Sequence, residues 1–195
     1  MLRFYFVRHG QTCSNIQHTL QGWSDTPLTS LGIQQGKQAQ ERMRIIPFLS
    51  IYASPSPRAY DTACNIRGER QQEVMKLEGL KEMYFGSMEG KAEDFEGCHT
   101  SMERISYDWH RFGGETIEDV TLRLKRTLKQ LICLHEGQNG NILCVAHGFS
   151  ILAAIRAVDE TVYETCVREQ NFIRNCAAVT ILYEDGCFTV EAINI

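Results

Sequence analysis

Five side chains that could act together on a phosphate group are spread along this sequence. They are two arginines, two histidines and one glutamate, namely Arg8, His9, Arg58, Glu82 and His147. A guanidinium group can bind two phosphate oxygens at once, and a neutral imidazole can attack phosphorus. A carboxyl group can protonate the oxygen that leaves. The residue types therefore indicate phosphoryl-transfer chemistry, provided that the fold brings them together.

Four short apolar runs explain how the fold could do this. Residues 2–7, 51–54, 73–77 and 141–146 are rich in β-branched, aromatic or aliphatic side chains, and helical stretches separate them. Each run ends shortly before one of the candidate residues. Ligands of open α/β sheets bind beyond the carboxyl ends of the strands. We therefore predict that these distant segments meet at one edge of a sheet.

The stretches between the strands carry helical patterns. Helices are predicted at about 29–46, 57–70 and 149–158, and a further helix begins at Thr116, which has capping-box spacing to Asp119. On the helix at about 29–46, the apolar positions expected to face the core are Leu31, Ala39 and Met43. On the helix that begins at Thr116, they are Ile117, Val120, Leu124, Leu128 and Leu131.

The C-terminal part of the chain predicts a β-hairpin. Two strand-like runs, 177–183 and 187–193, flank Asp185-Gly186, which is a strong turn signal. The expected fold is a three-layer α/β/α architecture with a mostly parallel central sheet and an antiparallel C-terminal edge hairpin. The length of 195 residues favours a single domain, 1–195.

Composition excludes several classes of function. The net charge of −4 argues against nucleic-acid binding, which needs a basic surface. No apolar stretch is long enough for a membrane span, and the N-terminal run is too short and too charged for a secretory signal, so a cytoplasmic protein is expected. The eight cysteines are scattered singly and predict reduced thiols, with Cys133, Cys144 and Cys176 acting as small core hydrophobes. Cys98-His99 has no partner pair at metal-ligand spacing, so no metal is expected.

Five motifs, in this order, resemble the histidine phosphatase superfamily, also called the phosphoglycerate mutase-like family, over nearly the whole chain. They are Arg8-His9-Gly10-Gln11-Thr12 with Asn15 following, Gln21-Gly22 before Asp25-Thr26-Pro27-Leu28-Thr29, Ser54-Pro55-Ser56-Pro57-Arg58-Ala59, Leu80 to Gly90 containing Glu82, and Ala146-His147-Gly148. The resemblance implies that His9 is a nucleophile whose tautomer is set by the Gly10 carbonyl, and that Glu82 is the general acid and then the base. It also implies a substrate-binding set, which we take to be Arg8, Asn15, Gln21, Gly22, Arg58, His147 and Gly148.

Electrostatic expectations follow from these roles. Two neighbouring guanidinium groups should lower the pKa of His9 and keep it nucleophilic, whereas His147 is expected to stay protonated as a phosphate ligand. The pKa of Glu82 should rise when a phosphate binds nearby. Glu78 and Glu89 compete with Glu82 for the acid role, and only the family pattern favours Glu82. No cofactor is expected.

Three functions remain open on the sequence. A phosphatase acting on small phosphomonoesters is favoured over a cofactor-dependent phosphoglycerate mutase. Only about thirty residues lie between Glu82 and the helix at Thr116, fewer than the resemblance implies for a mutase, and Gly113-Gly114-Glu115-Thr116 resembles the small phosphatase branch. A noncatalytic phosphate-binding or interaction module is the third.

Residues 86–114 and 159–174 are predicted to be irregular loops facing the substrate. Within them, a second anionic group could be bound by Arg104, His110, Arg111, Arg168 and Arg174. Neither the substrate nor an oligomeric state can be read from the sequence.

Overall fold

A computed structural model describes residues 1–95 and 97–195 of the chain. Among these residues, six strands form one sheet, and seven α-helices surround it. The strands are β1 (Leu2–Arg8), β2 (Phe48–Ala53), β3 (Val74–Lys76), β4 (Gly140–Ala146), β5 (Ala178–Glu184) and β6 (Cys187–Ile193). The helices are α1 (Cys13–Gln17), α2 (Ser30–Arg42), α3 (Pro57–Arg67), α4 (Ser101–Ser106), α5 (Ile117–Leu134), α6 (Gly148–Val158) and α7 (Glu160–Arg168).

The strand order is β3-β2-β4-β1-β5-β6. β1 to β4 run parallel to one another, and β5 pairs antiparallel with both β1 and β6. The predicted fold class is therefore confirmed, including the antiparallel C-terminal hairpin. β1 and β4 lie side by side at the centre of the sheet with Arg8 opposite Ala146, so the residues that follow both strands emerge at the same edge.

Alternating side chains of the central strands divide the core into two halves. Phe4 and Phe6 of β1 and Ile142 of β4 face one side, where α5, α6 and α7 pack, whereas Val7 and Leu143 face the other side, where α2 and α3 pack. This is the arrangement of a three-layer α/β/α fold. None of the helices among the described residues is both long and apolar enough to cross a membrane.

Capping groups set the beginning of the long helix α5. The Thr116 hydroxyl accepts from the Asp119 N–H, and the Asp119 carboxylate accepts from the Thr116 N–H at 2.9 Å. The predicted capping box is confirmed, and all five apolar positions expected to face the core from α5 are buried. α3 ends three residues earlier than predicted because Gly68 takes a positive φ of 57°.

Several local predictions are wrong. Leu31 is 47% exposed, whereas Ala39 and Met43 are buried as predicted, and the other buried positions of α2 are Gly32 and Gly36. The glycines were overlooked because they carry no hydrophobic signal, although they allow the closest backbone approach. The supposed loops 86–114 and 159–174 contain α4 and α7. Cys144 and Cys176 are buried as expected, but Cys133 is exposed; all eight thiols are free.

The close approach of Gly32 to the loop after β1 leads to a prediction about stability. A Cβ atom at Gly32 would lie 2.1 Å from the backbone oxygen of Gln11, so one of the two segments would have to move. We expect Gly32→Ala to lower the free energy of unfolding by ~1–3 kcal/mol. Urea denaturation measures this change, with Gln34→Ala on the exposed face of α2 as the control. Equal stability of the two variants would contradict the packing described here.

Candidate active site

His9 lies at the carboxyl edge of the sheet, immediately after β1. Its backbone N–H donates to the Ala146 carbonyl (3.0 Å), which continues the β1–β4 pairing by one residue. Its ring Nδ1 lies 2.8 Å from the Gly10 carbonyl oxygen. Because a carbonyl oxygen can only accept, Nδ1 carries the proton, and the neutral ring has its lone pair on Nε2. His9 is thus held in the tautomer that a nucleophilic imidazole requires.

The loop after His9 is held tightly against α2 and α3. The Gly10 N–H donates to Thr62 Oγ1 (3.0 Å). A Cβ atom at Gly10 would lie 2.4 Å from the Gly32 carbonyl oxygen, so no larger residue fits there without movement. The His9 carbonyl accepts from the Asn175 amide (2.9 Å). The position of His9 is therefore fixed from both sides.

His147 is the N-cap residue of α6 and lies next to His9, with 5.2 Å between the centroids of the two rings. Its Nε2 lies 2.8 Å from Ser54 Oγ, and both residues are fully buried. Burial, together with the positive charge of Arg58, lowers the pKa of His147 well below its usual value. The same two causes, joined by the charge of Arg8, lower the pKa of His9. Both shifts favour a neutral ring, as expected for His9; the expectation of a protonated His147 concerns the phosphate-bound site and stays a prediction.

Arg58 is buried below the loop of residues 21–25. Its Nη1 donates to Asp25 (2.8 Å) and to the Ser24 carbonyl, and its Nη2 donates to the carbonyls of Gly22 (2.7 Å) and Gln21 (3.3 Å). Gln21 and Gly22, predicted to bind substrate, therefore contact Arg58 through their backbone. The ion pair with Asp25 balances a charge that would be costly to bury alone.

Arg8 ends β1 and reaches the same region from the other side. Its Nη1 donates to the Ile173 carbonyl (2.8 Å). Three buried nitrogens near the edge, Nε of Arg8, Nε of Arg58 and Nδ1 of His147, find no hydrogen-bond partner within the described residues. Leaving a buried donor unpaired costs roughly 1–3 kcal/mol. The two guanidinium nitrogens are donors in any state, so the unpaired groups around His9 point to a ligand with acceptor oxygens.

Glu82 faces the start of α6. Its Oε1 accepts from the N–H groups of Ser150 (2.8 Å) and Met83 (2.9 Å), and its Oε2 accepts from the Phe149 N–H (3.1 Å). Burial raises the pKa of Glu82 above its usual value, although these three bonds act in the opposite direction. The carboxyl group is therefore held firmly and is easier to protonate than an exposed glutamate.

The two competing glutamates take other positions. Glu78 forms an ion pair with Lys81 on the surface (2.9 Å). Glu89 accepts from the backbone N–H groups of Trp23 (2.6 Å) and Ser24, and so holds the loop that surrounds Arg58. Of the three carboxyl groups, Glu82 is the one that lines the cavity beside His9.

This cavity has a volume of about 240 Å³. Its wall includes the predicted site residues Arg8, His9, Asn15, Gln21, Glu82 and Gly148. The remaining wall consists of His18, Leu20, Phe85, Glu93, Ser101, Arg104, Phe149, Leu152, Phe172, Ile173 and Asn175. Of the arginines and the histidine considered for a second anion, Arg104 lies here, and Arg174 lines a neighbouring groove. His18 also borders the cavity.

Other contributors to the site were not predicted from the sequence. Asn175 donates to the His9 carbonyl, and Ser54 contacts His147. Arg123 of α5 donates to the carbonyls of Lys81 (2.7 Å) and Glu82 (3.1 Å), and so holds the segment that presents the carboxyl group. Ser54 belongs to a quoted motif and could have been found. Asn175 and Arg123 carry no local signal, because only the tertiary fold brings them to the edge.

Comparison with known proteins assigns this arrangement to a family. The sequence profile of the histidine phosphatase superfamily (branch 1) matches residues 4–195, and the chain belongs to that superfamily. A protein of Enterobacter sp. (strain 638) named as a probable phosphoglycerate mutase GpmB is 28% identical over 191 residues, which cover 95% of this chain and 87% of that protein.

Solved structures give the same result. Bacillus stearothermophilus YhfR superposes with a TM-score of 0.84 at 29% identity, over 99% of this chain and 96% of that one. The phosphoserine phosphatase of Entamoeba histolytica in complex with 3-phosphoglyceric acid superposes with a TM-score of 0.83 at 28% identity, over 100% and 98% of the two chains. The relatives of this chain therefore include named mutases and phosphatases.

Proposed function

We propose that the chain is a phosphomonoesterase that hydrolyses small phosphorylated metabolites through a phosphohistidine intermediate on His9, without a metal or cofactor. The observation that carries the proposal is the His9 ring, held as the Nδ1–H tautomer beside two unpaired guanidinium nitrogens, Nε of Arg8 and Nε of Arg58, and the carboxyl group of Glu82. These are the parts that phosphoryl transfer needs: an in-line nucleophile, donors for the equatorial oxygens and a proton source.

In the first half-reaction, Nε2 of His9 forms a bond to phosphorus while the ester P–O bond breaks. Glu82, in its protonated form, gives its proton to the leaving oxygen. Arg8, Arg58 and His147 bind the phosphoryl oxygens, and Asn15 and the small Gly148 complete the pocket around them. The charge of the bound phosphoryl group raises the pKa values of His147 and Glu82, which favours a hydrogen-bond donor at each position.

In the second half-reaction, the Glu82 carboxylate takes a proton from a water molecule. The water oxygen bonds to phosphorus, the N–P bond breaks, and His9 returns to its neutral form. Glu82 thus acts first as the acid and then as the base. Its hydrogen bonds to the N–H groups of Phe149 and Ser150 at the start of α6 keep the carboxyl group in the same position for both steps. Phosphate is the second product.

A phosphoglycerate mutase is the second candidate, because the Enterobacter relative is named as a probable enzyme of that kind. A mutase would return the phosphoryl group to a second hydroxyl of the substrate instead of passing it to water. Incubation with 3-phosphoglycerate and catalytic 2,3-bisphosphoglycerate separates the two: we expect free phosphate and little 2-phosphoglycerate. Efficient interconversion would favour the mutase.

The proposal as a whole is tested by phosphate release from a panel of phosphomonoesters with and without EDTA. We expect turnover of at least one small ester and the same rate in both conditions. Activity that disappears with EDTA and returns with an added divalent ion would contradict the metal-independent mechanism. Binding of phosphate esters without turnover would instead favour a noncatalytic module.

Substitution of Gly148 tests where the phosphoryl group binds. A Cβ atom at this position would lie 3.7 Å from Arg8 Nε and 3.9 Å from Glu82 Oε2, which are ordinary contact distances. Gly148→Ala should therefore fold normally but narrow the space beside Arg8. We expect the inhibition constant of inorganic phosphate to rise by about tenfold, or ~1.4 kcal/mol. An unchanged constant in a variant with unchanged melting temperature would place the phosphate elsewhere.

The pH dependence of kcat/KM follows from the shifted pKa values of His9 and Glu82. His9 must be neutral, and since its pKa is lowered, activity should persist at pH values well below the usual titration of histidine. Glu82 must be protonated in the first step, so activity should fall as the pH rises through its raised pKa. We expect a bell-shaped profile with its maximum on the acidic side of neutrality, measured between about pH 4 and about pH 9. A rate that climbs steadily into alkaline pH would contradict these assignments.

A further inference from the structure

The wall of the cavity also carries a pair of opposite charges, Glu93 and Arg104. Both side chains are partly buried, with 29% and 11% of their surface exposed. Their closest atoms, Arg104 Nη2 and Glu93 Oε2, are 3.5 Å apart, which is long for a hydrogen bond between charged groups. Each group therefore keeps hydrogen-bonding capacity for a ligand.

Both residues are held in place by their surroundings. The Glu93 N–H donates to the His18 carbonyl (2.8 Å), which fixes this segment against the end of α1. Arg104 of α4 donates to Ser101 Oγ (2.7 Å) and to the Glu93 carbonyl (3.2 Å). Groups that are already ordered lose little entropy when they bind a ligand, so the pair is suited to recognition.

The acidic member of the pair is unexpected at an anion-binding site. Burial lowers the pKa of Arg8, and the negative charges of Glu82 and Glu93 oppose this effect, so Glu93 lies within electrostatic reach of Arg8. Glu82 is protonated when it acts as the acid, but Glu93 has no such role. Arg104 balances the negative charge of Glu93 while the two are paired, but an anionic group that binds Arg104 leaves Glu93 in need of a positive charge from the substrate.

We propose, on the basis of the function proposed above, that the substrate is a phosphomonoester whose alcohol part carries both an ammonium and a carboxylate group. The ammonium binds Glu93, the carboxylate binds Arg104, and the phosphoryl group lies at His9. O-phosphorylated hydroxy amino acids form this chemical class. The apolar side chains of Phe149, Leu152 and Phe172 in the same wall face the short carbon skeleton, which needs no polar partner.

Four substrates test the proposal in the unmodified protein. O-phosphoserine carries both groups, 3-phosphoglycerate replaces the ammonium by a hydroxyl, phosphoethanolamine lacks the carboxylate, and p-nitrophenyl phosphate lacks both. We expect kcat/KM for O-phosphoserine to exceed the values for 3-phosphoglycerate and phosphoethanolamine by roughly tenfold or more, because each analogue leaves one charged group unpaired.

Two variants distinguish recognition from structural damage. Glu93→Gln should lower kcat/KM for O-phosphoserine roughly tenfold but raise it for 3-phosphoglycerate, since the repulsion of the extra anionic group is removed. A misfolded variant would lose activity on both. Arg104→Gln should lower kcat/KM for the two carboxylated substrates and leave phosphoethanolamine unchanged. Asp94→Asn and Arg111→Gln, which change the charge of nearby exposed residues, are the controls.

The possible results separate this inference from the proposed function. Hydrolysis of 3-phosphoglycerate or phosphoethanolamine as efficient as that of O-phosphoserine would overturn the zwitterionic substrate and leave the phosphatase intact. Parallel losses on all substrates in Glu93→Gln would likewise overturn it, because the pair would then have only a structural role. Failure of the protein to hydrolyse any of the four esters would remove both proposals.

Discussion

Replacement of His9 by alanine is expected to lower kcat by roughly 10⁴-fold or more, the scale of the loss when a covalent nucleophile is removed. The reason is geometric as well as chemical. Nδ1 is committed to the Gly10 carbonyl, so Nε2 is the attacking atom, and the neighbouring His147 already contacts Ser54 through its own Nε2. His147 is therefore not positioned to take over the attack through its Nε2. Initial rates with a small phosphomonoester measure the effect.

The covalent intermediate provides an independent readout. Incubation with a substrate labelled in its phosphoryl group should leave acid-labile, base-stable label on the protein, and His9→Ala should take up none. His110→Ala, which changes an exposed histidine, is the control and should keep both label and rate. Circular dichroism shows whether the buried replacement still folds. Turnover by a folded His9→Ala protein at a rate near that of the parent would exclude His9 as the nucleophile.

Much of the fold could be predicted because the strands carry strong local signals. The alternation of Phe4 and Phe6 with Val7 in β1, and the Asp185-Gly186 turn, each specify a structure without reference to distant residues. α4 and α7 were missed because they are only six and nine residues long, although α7 buries Tyr163 and Cys166 at helical spacing. Thr100 and Glu103 form a capping box at α4, and Asp159 caps α7, so these signals were present but too weak to separate helix from loop.

The candidate site was predicted through its chemistry, and its supporting contacts were not. Arg8 and His147 could be placed at one edge because each follows a parallel strand directly. The lowered pKa of His147 could not be predicted from the sequence, because it depends on burial and on Arg58, which lies 89 positions away. Glu93 and Arg104 could not be recognised as a pair, since their contact depends on how the segment between them folds. Local sequence patterns therefore predict the secondary-structure elements and the reactive residue types. The charge states and ion pairs of the site depend on contacts that only the complete fold creates.

Replacement of Glu82 by glutamine should show which step needs the carboxyl group. Burial raises the pKa of Glu82, which means that its surroundings disfavour the charged form, and a neutral amide of the same shape fits the same space. Its oxygen can still accept from the Ser150 N–H, but its nitrogen cannot accept from the Phe149 N–H, so the melting temperature of the variant is measured as well. For an alkyl phosphate, whose leaving alkoxide is strongly basic, we expect kcat/KM to fall by ~10²–10⁴-fold, the usual contribution of a general acid. For p-nitrophenyl phosphate the loss in kcat/KM should be far smaller, because p-nitrophenolate leaves without a proton.

The second half-reaction then becomes the slow step of Glu82→Gln. A glutamine cannot take a proton from water, so phosphohistidine should accumulate, and mixing with p-nitrophenyl phosphate should release a burst of about one p-nitrophenolate per protein before slow turnover. Glu78→Gln, at the exposed Lys81 ion pair, is the matched control and should behave like the parent. Equal losses on the alkyl and aryl esters, with no burst, would mean that Glu82 only positions the start of α6. A larger loss on the alkyl ester together with a burst places one carboxyl group in both steps, first as the proton donor and then as the base that releases His9.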